Sequence, residues 1–164
     1  MSDLVEFLRA RLDEDEWWAR EASRLREQQG EPAGDHWQWE EGDGDRVLTL
    51  DPAQSEYVGA EHGGVRVSLR SRELYPTPYV GDLPNFAISA AEEVPTTVGG
   101  HIARHDPARV LAEVDAKRRI IEACERIQAG IRDDYTADFF ADAVLEHLAL
   151  PYADHPEYDE SWRP

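Results

Sequence analysis

From residue 3 to about residue 28 the apolar positions recur at helical spacing. Leu4, Leu8 and Leu12 set a stripe, with Val5 and Phe7 beside it, and Trp18, Ala22 and Leu25 continue it with drift. Ser2 is placed to cap this helix. Residues 28–34, rich in Gly and Pro, end it, and the period then changes to two. Residues 36–40 alternate with Trp37 and Trp39 on one side. Residues 42–45 read as a turn and 46–50 as the returning strand of a hairpin. Residues 65–70 form a further strand, with valines and leucine on one face. Residues 75–84, carrying three prolines, read as an extended connection, and 86–88 as a short fourth strand. The helical period returns at residue 108 and runs without Gly or Pro to about 128. Val110, Val114, Ile121 and Cys124 share one face there, flanked by Leu111, Ile120 and Ile127. After a break at 130–134, Thr136 is expected to cap a last helix, 137 to about 149. Phe140, Val144 and Leu148 are its expected buried face, with His147 a core histidine among them. The pattern predicts one α+β domain over residues 1–164. It has an N-terminal helix, a small antiparallel sheet of three to four strands, two C-terminal helices and a C-terminal tail.

The tail from Pro151 onward is irregular, but Tyr152, Tyr158 and Trp162 are costly to leave in water. It is expected to be ordered, folded back on the helix that begins at Pro107 or on the Trp37–Trp39 face. Trp17 and Trp18 set a different problem. Adjacent helical side chains point about 100° apart, so both rings are buried only where two surfaces meet. One is expected in the core and the other as a partner-binding anchor. The preceding run Asp13-Glu14-Asp15-Glu16 crosses every face of the helix and reads mainly as solvated.

The densest chemistry lies at residues 101–111. Asp106 precedes Pro107, a strong helix start: the carboxylate caps amide hydrogens of the first turn, and Pro fits where no donor is needed. The residue before a proline is pushed out of helical angles, so a helix ending near His105 must break at Asp106. His101 and His105, four apart, share a face if they lie on a helix. With Asp154 or His155 from the tail they would give a divalent metal, zinc among the candidates, three ligands. Without a third ligand they are capping and hydrogen-bonding groups. Further along, Lys117 falls inside the apolar arc, one turn after Glu113. Either its head reaches water beside Glu113, or the helix lines a polar crevice in which Lys117 and Arg118 face an anion or an acidic surface. His101, His105, Asp106, Arg109, Glu113, Lys117 and Arg118 are the candidate functional patch.

The text of residues 101–121, together with Leu148-Ala149-Leu150-Pro151-Tyr152-Ala153-Asp154-His155-Pro156-Glu157-Tyr158 and the opening 4–16, resembles a small family of actinobacteria and their phages. This is domain-of-unknown-function family 6221, with the signature HIARHDPARVL…LALPYADHPEY. The resemblance implies a source and a compact shape, and no activity. Many members carry extra cysteines between the two C-terminal blocks. This chain has only Cys124, so a cysteine-bound zinc there is not available to it.

Composition narrows the function classes. Asp and Glu number 35 against 17 Lys and Arg, a formal net charge of -18. Such a surface repels phosphate backbones, so direct nucleic-acid binding is disfavoured. It suits a basic protein surface, or imitation of DNA before a DNA-binding protein. One cysteine excludes an internal disulfide and fits a reducing cytosol. The start has no basic region followed by an apolar run, and no stretch approaches the roughly 20 apolar residues of a membrane span. A cytoplasmic protein is expected, with self-association open. The chain has no Gly-rich phosphate loop and no GxSxG, HExxH or CxxC motif, and Cys124 lies in an apolar stripe. The leading expectation is a non-catalytic, cofactor-free interaction protein that binds a basic partner. The alternative is a metal-dependent hydrolase or metal-binding protein using His101 and His105 with Asp154 or His155.

Overall fold

A computed structural model describes residues 2–23, 34–43, 46–49, 66–77, 81–91, 94–130 and 135–164. The fold is α+β. A first helix, α1 (Ser2–Ser23), precedes four strands, β1 (Trp37–Asp43), β2 (Arg46–Thr49), β3 (Arg66–Thr77) and β4 (Gly81–Ala91). Three helices follow, α2 (Thr96–Arg104), α3 (Pro107–Gln128) and α4 (Tyr135–Ala149), and then short 3-10 turns at Leu150–Tyr152 and Glu160–Trp162. The chain divides into two compact units. One holds Met1–Trp17 with Leu111–Pro164, the other Trp18–Val110.

The strand unit is built on an antiparallel sheet of order β2-β1-β3-β4. The alternation at 36–40 has its expected result: Trp39 is buried opposite Leu69, and Trp37 packs against the same cluster with Val94, Ile102 and Ala103. Helix α2 lies on β1 at this point because Gly99 lets it. A Cβ on Gly99 would sit 2.1 Å from the Trp39 ring, so only glycine allows so close an approach. The connection expected at 75–84 is instead a hairpin. Strand β3 runs on to Thr77, and β4 starts at Gly81, whose φ of 93° suits glycine. Prolines did not stop the strands: Pro76 pairs with Asp82 in the regular stretch beside the turn, and Pro84 pairs with Leu74, where the register shifts on the way to Arg70. The turn residues 44–45 and the expected helix end at 24–28 lie outside the described residues.

The helical unit has a core of leucines from α1 (Leu4, Leu8, Leu12, with Val5 and Phe7), the α3 stripe Val114, Ile121 and Cys124, and Ala141, Leu145 and Ala149 of α4. The α1 and α3 stripes follow the expected spacing. Helix α4 does not. Phe140 and Val144, expected inside, are exposed, and the buried face is one residue later along the helix. Two registers of apolar residues compete in α4. The one with small side chains, Ala141 and Ala149 around Leu145, packs closely and takes the core side. His147 follows its register outward. It is exposed, with Nδ1 2.6 Å from the Ala143 carbonyl, and is not a core histidine.

Candidate functional site

In the strand unit, Asp106 is the organising side chain. It is buried, 7% exposed, between α2 and α3. Its Oδ1 accepts the Arg109 N–H at 2.9 Å, the capping bond expected from Asp-Pro. Its Oδ2 accepts the Trp37 N–H at 3.2 Å, tying the helix start to the first residue of β1. Alongside, the Ala108 N–H donates to the Asp35 carbonyl at 3.1 Å. Both oxygens of Asp106 therefore hold backbone, a positioning role with no catalytic geometry in it. The Arg109 guanidinium turns back to donate to the Arg104 carbonyl at 3.4 Å. His36 and Glu73 form an exposed pair at 2.6 Å at the edge of the same unit.

His101 and His105 are on one face of α2's last turn, rings 4.2 Å apart, both exposed. His105 Nδ1 lies 2.9 Å from the His101 carbonyl, closing the helix end before the break at Asp106. Among the described residues, no group of three or more His, Cys, Asp or Glu side chains is placed to hold a metal ion.

In the helical unit, the tail docks, and its main platform is one the sequence did not single out. Phe7 of α1 is ringed by Tyr152, His155, Tyr158 and Trp162, with centroids 5.0–6.4 Å away and mostly edge-on. The Arg11 guanidinium lies over Phe7 at 5.5 Å. The expected docking surface on α3 includes Lys117, whose Nζ lies 5.8 Å above the Tyr152 ring. The Tyr152 hydroxyl donates to Asp15 at 2.6 Å; burial first, and then this carboxylate, push its phenol well above the usual tyrosine range. The His155 ring lies between two donors, the Arg11 guanidinium at Nε2 and the Glu157 N–H at 3.1 Å from Nδ1. A neutral imidazole has one accepting nitrogen, so it satisfies one of them at a time, and a metal would have to displace a donor.

Lys117 and Arg118 thus meet partners from their own chain. Arg118 pairs with Asp13 at 2.5 Å and Glu16 at 2.6 Å, hydrogen bonds that raise its pKa further above neutrality. Glu14 pairs with Arg11 at 3.6 Å. The four-acid run is therefore largely engaged within the molecule, not simply solvated. The signal was the three-residue spacing of Asp13 and Glu16, which puts both on one helix face. Arg9–Glu125, Arg119–Asp115 and Arg163–Glu160 add further pairs of the same kind. Cys124 is buried, and burial together with the Asp142 charge pushes its thiol up, the opposite of an activated nucleophile.

Among the described residues, two exposed aromatic sets remain. Trp17 is 53% and Trp18 62% exposed, so neither is the core residue expected of one of them. On α4, Phe139 and Phe140 are 69% and 63% exposed, their rings edge-to-face at 6.3 Å.

A family model described as "Family of unknown function (DUF6221)" matches residues 1–164, and the chain belongs to that family. Neither a curated protein nor a solved structure matches it.

Proposed function

We propose that this member of the family is a non-catalytic interaction protein whose acidic surface receives a basic protein partner. One observation carries the reading. Arg9, Arg11, Arg118, Arg119 and Arg163 are each ion-paired with carboxylates of the same chain, while the chain as a whole carries a surplus of -18. What the helical unit offers outward is therefore dominated by carboxylate, with large aromatic side chains beside it. Acidic side chains steer a basic partner and set the salt dependence of association, and exposed tryptophans and phenylalanines supply the apolar anchors. The individual chemistries point the same way. Asp106 is occupied by two backbone amides, Cys124 is buried with its thiol raised, and His155 faces two donors. Trp17 and Trp18 are one anchor pair on this reading, with an actinobacterial or phage cytoplasm as the setting.

The test is capture from an extract of the source cells on the immobilised full chain, at low and high salt, with Trp17→Ala and Trp18→Ala in parallel. The reading expects a basic protein retained at low salt, released at high salt and weakened in the variants. Retention of an acidic protein, or the same retention at both salts, contradicts it. A stoichiometric divalent metal in protein purified without a histidine tag would favour the metal-binding alternative instead.

A further inference from the structure

We infer that the outer face of α4 is a docking surface for a basic amphipathic helix of a partner protein. The inference rests on the reading above that the partner is basic, and it adds a second anchor site and the partner's secondary structure.

Helix α4 has two faces of opposite fate. Ala141, Leu145 and Ala149 point into the core. Around the other side, Thr136, Phe139, Phe140, Val144 and His147 are all exposed. At 100° per residue these five span about 140°, the width of an apolar stripe that normally faces a core. Two adjacent phenylalanines left in water are costly, since each offers on the order of 150–250 Å² for burial. The α3 side supports the helix without covering this face: Gln128 donates to Asp142 at 2.7 Å, on the flank.

Charge decides the occupant. Asp138, Asp142 and Glu146, all half-buried, recur every four residues and form one row that starts on the core side at Asp138 and reaches the Phe139 edge of the exposed face at Glu146. A second copy packed antiparallel through this face would set these three carboxylates against the same three of its twin, as like flanks meet in antiparallel helix pairs. Each copy would also bring a net charge of -18. A partner helix with apolar residues at i, i+3, i+4 and i+7 fits the phenylalanines, and Lys or Arg along one side of that helix meets the acidic flank.

The probe is a labelled synthetic helix of leucine and lysine, about 14 residues long, in amphipathic order, with a scrambled isomer as control. Binding to the full chain is followed by fluorescence anisotropy. The amphipathic order is expected to bind about tenfold or more tighter than the scrambled one, and F139S/F140S to remove that advantage. D138N/D142N/E146Q is expected to flatten the salt dependence. Because Phe139 and Phe140 are exposed, F139S/F140S should keep its fold. If its thermal melting nevertheless changes, the acidic-flank variant alone still decides. Undiminished binding by F139S/F140S, with loss only in Trp17→Ala, overturns the α4 site and leaves a basic partner in place. No binding of either peptide by the wild type overturns both. A dimer in sedimentation that becomes monomer in F139S/F140S also overturns the proposal, since a second copy then covers the face.

Discussion

Two aromatic clusters in the helical unit make an instructive contrast. Around Phe7, the rings of Tyr152 and Tyr158 meet edge-on and that of Trp162 is tilted, and the Tyr152 hydroxyl and the His155 ring are engaged by Asp15, Arg11 and Glu157. On α4, Phe139 and Phe140 touch each other and face outward beside a stripe of carboxylates. The side chains are of one chemical type. What differs is what surrounds them. The first cluster is closed by an irregular tail that has no other way to remove its rings from water. The second lies on a helix whose small-residue face has already satisfied the core. Aromatic content alone therefore does not separate a structural staple from an interaction surface. The register of the supporting helix does.

Removing residues 151–164 should break the closed cluster outright. It takes four rings from Phe7, and a loss of more than about 3 kcal/mol is expected in urea unfolding, with early proteolysis. An unchanged midpoint would show that the tail is not part of the fold. Phe7→Ala attacks the same cluster from α1 and should cost about 3 kcal/mol. Asp106→Ala is the reference from the strand unit, where backbone ties and not ring contacts are removed. It loses the cap and strands the Trp37 N–H, for about 2 kcal/mol. Tyr152→Phe should cost about 1 kcal/mol at neutral pH by removing the bond to Asp15. Its alkaline behaviour sharpens the point. The folded phenol is raised above its unfolded value, so the stabilisation is complete below about pH 10 and is lost as pH rises beyond it. Wild type should therefore lose stability more steeply than Tyr152→Phe above that pH, and an identical alkaline limb in both would contradict the assignment. Smallest of all, F139S/F140S should stay within about 0.5 kcal/mol of wild type, since it alters a face that supports no packing in the monomer.

Much of this architecture was legible in the residues. The change of period from 3.6 to 2 and back located the sheet, and Asp106-Pro107 located the break between α2 and α3 together with its cap. The docked tail followed from three aromatic residues in a segment with no periodicity of its own. Its platform did not, because Phe7 reads as one more residue beside a leucine stripe. The failures have a common cause. In α4, Phe140, Val144 and Leu148 make the stronger hydrophobic stripe on paper, and close packing favoured the alanines. In β3 and β4, local proline content argued for a loop, and pairing of the two strands as a hairpin overrode it. Asp13 and Glu16 looked solvated because their cation, Arg118, lies 105 and 102 positions further on. That pairing is tertiary, and the local spacing of the two acids does not name its partner.

The most direct test of the central claim is the affinity of the full chain for the amphipathic leucine–lysine helix, measured between about 50 and 200 mM salt. The account predicts binding that weakens as salt rises, through the carboxylates, and that falls to the level of the scrambled peptide at every salt concentration in F139S/F140S. Binding that is absent, or equally strong across that range and in the variant, would contradict it.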